Sequence, residues 1–322
     1  FSMRRFVPHA LLVLWAVFAA MAHAQDDREA RRKLALEVPI ADMHMHLHMM
    51  MTPDDLLARM DRNNVHWGGG VGPIAPGVSV DRFIQLLGKR YVPAGAQPEL
   101  MAIYTRGGTT EMVDAQSASF QALQASVQQA FEEKKIQGVG ELILNNRYSH
   151  PSPPFRRKVP IDAPTFKALF ELADKHGGFV QIHMEDDGDS IDGLEALLKQ
   201  HAKVPVVLSH CMARASARSA RALLRKHANL YCELSARSSA LLVAPFLHQY
   251  RIHDAERADS SWLALLEELP DRFMLGSDDT GFGASYDSII STVRTGLLPH
   301  LSETTLKKVA YENAQRVFKL AP

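Results

Sequence analysis

The sequence predicts an α/β protein built as a single (β/α)8 TIM barrel. Three observations point to this fold class: a length of 322 residues, eight short apolar runs, and longer segments of helical period between those runs. A doubly wound α/β sheet is the alternative arrangement of the same units. Apolar residues make up 46% and charged residues 22% of the chain, which is the composition of a folded protein with a substantial hydrophobic core.

The predicted strands are short apolar runs of the kind that form buried parallel strands. Past residue 38 they lie at Ile40–His46, Val65–Ile74, Leu100–Thr105, Val139–Leu144, Phe179–His183, Val204–His210, Leu230–Leu234 and Phe273–Gly276. Parallel strands need a crossover connection, and a helical segment separates most of these runs. Eight strand–helix units in about 280 residues match the size of a closed barrel.

The predicted helices are bounded by residues that commonly begin or end helices. Proline follows Thr52 and Ala163 at the first helical position, and Gly177 follows a segment that ends in Lys175 and His176. The segments of helical period are Pro53–Asn63, Val80–Arg90, Gln116–Lys135, Pro164–His176, Ile191–His201, Ala215–His227, Trp262–Leu269 and Ser302–Leu320.

Two connections are longer than simple barrel loops. Asn145–Asp162 follows the fourth predicted strand, and Ser235–Ser261 follows the seventh. Both therefore lie over the C-terminal mouth of the predicted barrel, where long loops usually shape a substrate pocket.

The first 24 residues are predicted to be a secretory signal peptide. Arg4 and Arg5 form a short basic region, Ala10–Ala22 is an uninterrupted apolar run, and Ala22-His23-Ala24 is a small-residue cleavage site. The apolar run is too short to span a bilayer, which favours a cleaved signal over a membrane anchor. Met3 is the predicted initiator, so Phe1 and Ser2 are interpreted as additions to the natural chain.

Cleavage after Ala24 would give a periplasmic or secreted protein. Residues 25–38 would then form a helical lead-in, and residues 39–322 a single barrel domain. The residue directly after the cleavage point is Gln25 and not a cysteine, so a lipid anchor is not expected. Export would make Cys211 and Cys232 open to oxidation, but the sequence does not decide whether they pair.

The charge balance argues against nucleic-acid binding. Basic and acidic residues number 36 each, which gives a net charge of +0. Loss of residues 1–24 would remove two arginines and leave a slightly acidic protein. No strongly basic surface is predicted to attract phosphate backbones, so the expected partner is a small molecule.

A His-x-His pair ends the first predicted strand. His44 and His46 are two residues apart, so on a strand their side chains point to the same side and can share one metal ion. Four further residues of metal-ligating type stand at or near the ends of strands four, five, six and eight. They are Glu141, His183, His210 and Asp278. Six such side chains at one barrel face predict a metal centre.

This ordered set resembles the amidohydrolase superfamily, in particular its amidohydrolase-related group of metal-dependent hydrolases and decarboxylases. The resemblance covers residues 39 to 320. Its motifs are Asp42-x-His44-x-His46-Leu47, the strand-ending His183 and His210, Gly276-Ser277-Asp278, and the closing Glu312-Asn313-Ala314-x-Arg316-Val317-Phe318.

The resemblance implies a cofactor of one or two divalent metal ions, with zinc the expected ion. His44, His46 and Asp278 would hold one ion. His183 and His210 would either hold a second ion or divide into a ligand and a group that polarises the substrate. Many two-metal relatives use a carboxylated lysine from the fourth strand, whereas this chain has Glu141 there, as the TatD-like nucleases do.

The expected chemistry follows from the properties of such an ion, which polarises a carbonyl and lowers the pKa of water. Asp278 is the predicted general base, with His210 also assigned a catalytic role. Four arginines follow predicted strands and are candidate groups for binding a substrate carboxylate. They are Arg106, Arg147, Arg214 and Arg237.

The leading functional interpretation is an exported metal-dependent hydrolase of a small amide, ester or lactone that carries a carboxylate. A nonoxidative decarboxylase with one metal ion is the second, because it would use the same barrel without needing Glu141. A TatD-like nuclease is favoured by Glu141 and opposed by the charge balance. A metal-binding barrel without catalytic activity is the fourth.

Overall fold

The computed structural model describes residues 25–150, 152–240, 245–281 and 283–321. The predicted signal peptide lies outside these residues. The structure is a parallel barrel, as predicted. Its strand segments are β1 (Ile40–Asp42), β2 (Val65–Gly69), β3 (Tyr91–Val92), β4 (Ala94–Ala96), β5 (Gly138–Ile143), β6 (Phe179–His183), β7 (Val206–Leu208), β8 (Leu230–Glu233) and β9 (Phe273–Met274).

Neighbouring strands are parallel and follow the order of the chain. β1, β2 and β3 form one ladder, and β4 to β9 form the second. β3 and β4 are two parts of one barrel strand separated by Pro93, so nine segments fill eight strand positions. The barrel closes where the Met43 N–H donates to the Leu275 carbonyl at 2.9 Å.

Helices form the outer layer. They are α1 (residues 25–37), α2 (Pro53–Arg62), α3 (Val80–Leu87), α4 (Gln97–Val113), α5 (Ala118–Glu132), α6 (Pro164–His176), α7 (Gly188–Gln200), α8 (Ala217–Lys226), α9 (Ser260–Glu268), α10 (Tyr286–Gly296), α11 (Glu303–Lys307) and α12 (Asn313–Phe318). A π-helical segment, Lys308–Glu312, joins α11 to α12. No helix among the described residues is long and apolar enough to cross a membrane.

The third predicted strand was wrong. Leu100–Thr105 lies inside α4, which begins at Gln97-Pro98 and buries Leu100 and Ile103. The strand itself is Tyr91–Val92 and Ala94–Ala96, where Pro93 interrupts the ladder and small side chains give a weak apolar signal.

Besides α4, a second helix was not predicted from the sequence. α10 begins after Ser285, whose hydroxyl caps the Ser288 N–H, and it buries Ile289 and Val293. Serine, threonine and β-branched residues dominate this segment and have low intrinsic helix propensity, so packing on the barrel decides its structure.

The C-terminal helix closes the end of the barrel opposite the predicted site. The rings of Phe318 in α12 and Phe179 lie 4.7 Å apart in an edge-on contact. Phe179 is the first residue of β6 and His183 is the last. The apolar base of the barrel and its polar mouth are therefore at opposite ends of the same strands.

Candidate metal centre

All six predicted ligands come together at the C-terminal ends of the strands. His44 and His46 follow β1, and the Asp278 N–H donates to the His44 carbonyl at 2.8 Å, which aligns the first and last strand ends. Glu141 lies within β5 and His183 ends β6. His210 lies in a short 3-10 turn, Ser209–Cys211, directly after β7.

Four of these residues form the first half of the centre. The Nε2 atoms of His44 and His46 are 3.1 Å apart. Glu141 Oε2 lies 3.6 Å from the first of these nitrogens and 3.8 Å from the second. Asp278 Oδ1 lies 3.4 Å and 3.6 Å from the same two atoms. One nitrogen from each imidazole and one oxygen from each carboxylate therefore face a common point.

The other two histidines form the second half of the centre around the same glutamate. Glu141 Oε1 lies 3.1 Å from His183 Nδ1 and 3.6 Å from His210 Nε2. Asp278 Oδ2 approaches His210 Nε2 to 4.0 Å. The two oxygens of Glu141 thus face different histidine pairs, and both halves have donor atoms close enough to ligate one ion each.

Outer hydrogen bonds orient three of the imidazoles. His44 Nδ1 lies 2.7 Å from Glu233 Oε1, and His46 Nδ1 lies 3.0 Å from the Gly72 carbonyl. His210 Nδ1 lies 2.9 Å from the Ser235 hydroxyl. The glutamate and the carbonyl accept hydrogen bonds, so His44 and His46 each carry a proton on Nδ1 and direct Nε2 toward the centre, as metal-binding histidines do.

Glu233 is a residue of the candidate centre that the sequence analysis missed. It is fully buried at the end of β8. Its carboxylate contacts His44 and accepts the N–H groups of His210 at 2.6 Å and Ser235 at 2.8 Å. A carboxylate at the end of an apolar strand was the available signal, the same one that identified Glu141.

The field of the centre favours a cation. Burial opposes protonation of His44, but the negative charges of Glu233, Glu141 and Asp278 raise its pKa well above the usual value. The pKa of Glu141 is lowered well below its usual value, because the charges of His44 and His183 outweigh the effect of burial. Buried carboxylates with imidazole nitrogens between them fit a divalent transition-metal ion, which would take the place of the proton.

Two of the predicted substrate-binding arginines lie at the mouth. The Arg214 guanidinium lies 5.2 Å from the ring centroids of both Tyr148 and Tyr250, and it donates to the Tyr250 hydroxyl at 3.1 Å. The Arg147 guanidinium lies 5.5 Å from the centroid of the same Tyr148 ring, and Tyr148 is 55% exposed. This cation–π stack joins the long loops after β5 and β8 to the turn after β7.

For two arginines, Arg106 and Arg237, the prediction of a role in substrate binding was wrong. Arg106 is part of α4 rather than a residue after a strand, and it binds Glu111 and Ser119 at 2.7 Å each on the outer helices. Arg237 is 1% exposed and donates to backbone carbonyls on both sides of the mouth loops. Its acceptors are the carbonyls of His210, Met212, Ala215 and Tyr250.

Arg237 is expected to matter for stability rather than for substrate binding. Burial lowers its pKa to about 9, and no carboxylate pairs with it among the described residues. Arg237→Lys would leave several buried carbonyls without a donor, so we expect the free energy of unfolding to fall by about 2–4 kcal/mol. Chemical denaturation measures this loss.

Arg147→Lys is the matched control, because Arg147 is exposed and its replacement is expected to change stability by less than about 0.5 kcal/mol. An Arg237→Lys protein with unchanged stability and weakened substrate binding would restore Arg237 to the substrate site.

Fold and site together define a metal-dependent enzyme of the amidohydrolase fold. A family model described as Amidohydrolase matches residues 146–320, more than half of the chain. The chain belongs to this family. A comparison with curated protein sequences finds no match.

Solved structures support the barrel fold. An uncharacterized TIM-barrel protein from Bordetella bronchiseptica is 14% identical with a TM-score of 0.53, and 92% of each chain is covered. A probable 2-pyrone-4,6-dicarboxylic acid hydrolase from Acinetobacter baumannii, with citric acid bound, is 14% identical with a TM-score of 0.53, covering 83% of this chain and 89% of that one. A 2,6-dihydroxybenzoate decarboxylase from Rhizobium is 12% identical with a TM-score of 0.50, covering 88% and 99%.

Proposed function

We propose that the protein is a hydrolase of a small amide, ester or lactone that carries a carboxylate, and that it works with two divalent metal ions. The observation that carries this proposal is the position of Glu141. One of its oxygens faces His44 and His46, and the other faces His183 and His210. A carboxylate placed in this way is suited to bridge two ions.

His44, His46 and Asp278 would hold the first ion, and His183 and His210 the second. Such ions supply polarisation of the scissile carbonyl and a lowered pKa for water. Zinc suits this set, since imidazole and carboxylate are common ligands of that ion.

Asp278 is the proposed general base. Burial opposes its ionisation, but the charge of His44 and a hydrogen bond with His46 hold its pKa below the usual value, so it is in the ionised form that a general base needs. Its side chain is 23% exposed, compared with 0% for His44. A proton taken from water at this carboxylate can pass to the leaving group.

Arg214 supports a carboxylate-bearing substrate. Its guanidinium lies at the mouth between two tyrosine rings, and its contact with Glu185 Oε2 is long, at 3.7 Å. Glu185 already accepts the N–H groups of Tyr148 and Ser149, which leaves the guanidinium able to bind a second carboxylate. Two structural neighbours are also named for carboxylate-bearing substrates, 2,6-dihydroxybenzoate and 2-pyrone-4,6-dicarboxylic acid.

Arg214→Met is expected to raise KM for a carboxylate-bearing substrate about 10-fold or more and to leave kcat nearly unchanged, because it removes ground-state binding. Steady-state kinetics on the substrate and on its uncharged amide measure the effect. The amide should show no such change.

Arg106→Met is the control for Arg214→Met, since Arg106 lies on an outer helix. Equal losses on the charged and uncharged substrates would rule out carboxylate recognition by Arg214.

The proposal as a whole is tested with a panel of carboxylate-bearing lactones, esters and amides, with carboxylic acids included to detect CO2 release. Hydrolysis that depends on added metal supports it. Decarboxylation without hydrolysis, in a protein that holds one ion, supports the nonoxidative decarboxylase, the alternative that one structural neighbour's name favours.

We also propose export, with cleavage after Ala24. The basic start, the apolar run and the small-residue cleavage site support it, and so does the disulfide between Cys211 and Cys232, since disulfides persist in oxidising compartments. N-terminal sequencing of protein from the native host should begin at Gln25. Cytosolic material that retains Met3 would contradict export.

A further inference from the structure

The turn that carries His210 has an unusual backbone. His210, Cys211 and Met212 have φ values of 55°, 48° and 61°. Side chains other than glycine avoid this left-handed region because the Cβ atom crowds the backbone. Three such residues in a row persist only where the surrounding structure holds them in place.

Two groups of polar contacts hold this turn. The Arg237 guanidinium donates to the carbonyls of His210 at 3.0 Å and Met212 at 3.3 Å. On the other side, Glu233 Oε1 accepts the His210 N–H at 2.6 Å.

A disulfide adds a covalent tie to the same turn. Cys211 is bonded to Cys232, and both residues are fully buried. Each cysteine is adjacent in sequence to a residue of the candidate centre: Cys211 follows His210, and Cys232 precedes Glu233. The bond therefore joins the ligand-bearing turn to the strand whose last residue binds the backbone of that ligand.

We propose that Cys211 and Cys232 are positioning residues whose disulfide keeps His210 in its ligating orientation. Reduction by a dithiol would break the S–S bond, form two thiols with two electrons and two protons, and convert the reductant to its own disulfide. The turn would then be free to leave its left-handed conformation, and the His183–His210 half of the centre would lose affinity for metal.

The His44–His46 half is held differently. Asp42, at the end of β1, accepts the Ser277 N–H at 2.8 Å and the Tyr286 hydroxyl at 3.0 Å, and His46 is fixed by the Gly72 carbonyl. His44 also contacts Glu233, the neighbour of Cys232, but Glu233 is carried by β8, which is held by its pairing with β7 and β9 as well as by the disulfide. Loss of the disulfide is thus expected to affect one half of the centre selectively, an inference that rests on the proposed two-ion function.

The test is zinc titration of the apo protein against a competing chelator, comparing the wild type with Cys211→Ala/Cys232→Ala. We expect affinity for the second ion to fall about 10- to 100-fold, the size of effect seen when the support of a metal ligand is removed, and affinity for the first to change less than about threefold. Leu194→Ala, a buried position in α7, is the control for general destabilisation and should keep both affinities.

A second arm uses the unmodified sequence, in case the double variant does not fold. Wild-type protein is compared before and after reduction by a small dithiol in mild denaturant, with free thiols counted to confirm that the bond has opened, and the same selective loss is expected. Two ions bound with unchanged affinities after loss of the disulfide would overturn this inference and leave the proposed function standing. A single ion in the oxidised wild type would overturn both.

Discussion

Asp278→Asn, reloaded to the metal content of the wild type, is expected to lose about 10²-fold or more in kcat. The amide would keep an oxygen ligand near His44 and His46 but would accept a proton poorly. A residue that only holds metal would mainly change occupancy when replaced, whereas a residue that also moves the proton fails in a full site. Steady-state kinetics on samples of measured metal content separate these cases.

The neighbouring Asp279→Asn is the matched control. Asp279 is the more buried of the two, but its carboxylate lies 3.4 Å from Arg59 and caps the Gly281 N–H rather than contacting the ligand histidines. We expect its kcat to stay within about threefold of the wild type. A metal-replete Asp278→Asn enzyme with near-normal kcat would move the base role to another group.

Removing His44 and His46 together is the second change with a large expected effect. His44→Ala/His46→Ala should lose at least one metal ion per chain and with it nearly all activity, because both Nε2 donors of the first half are gone. Elemental analysis after dialysis against metal-free buffer measures the loss.

Folding should survive this change, since neither histidine belongs to the large apolar core that the strands and helices share. Circular dichroism checks this point. His66→Ala/His300→Ala removes two exposed histidines and should keep full metal content. Unchanged metal in His44→Ala/His46→Ala would refute the assignment of the first half.

The sequence predicted the fold because the strongest signals lie at buried strands and helix starts. β6 was predicted with its observed bounds, because Phe179–His183 is an apolar run between Gly178 and a polar loop. The third strand was not, since Pro93 and three small residues carry little apolar signal. Its neighbour Leu100–Thr105 is apolar enough to resemble a strand, but two of its buried side chains are three residues apart, as on a helix face.

The candidate site was predicted from strand ends, and its errors have the same origin. His44, Glu141 and the other ligands stand where parallel strands deliver their last side chains to one mouth. The predicted role of Arg106 was wrong because the segment before it, Leu100–Thr105, is part of helix α4 and not a strand. The predicted role of Arg237 was wrong because a position after a strand does not determine the direction of the side chain. The Arg237 side chain donates to backbone carbonyls of the adjacent loop.

The pairing of Cys211 with Cys232 also could not be predicted from the sequence. The two residues occur on neighbouring elements, and contact depends on the left-handed turn at His210, which has no local signal such as glycine. The register between β7 and β8 and this turn together bring the sulfurs into contact.

The proposed two-ion centre around Glu141 is tested most directly by counting metal ions. Elemental analysis of the purified wild type, reloaded with zinc and freed of excess, should find two ions per chain, and His183→Ala/His210→Ala should hold one. Two ions in the wild type and one in this variant would support the shared carboxylate. One ion per chain in a fully reloaded wild-type protein would contradict the two-ion hydrolase and favour the decarboxylase.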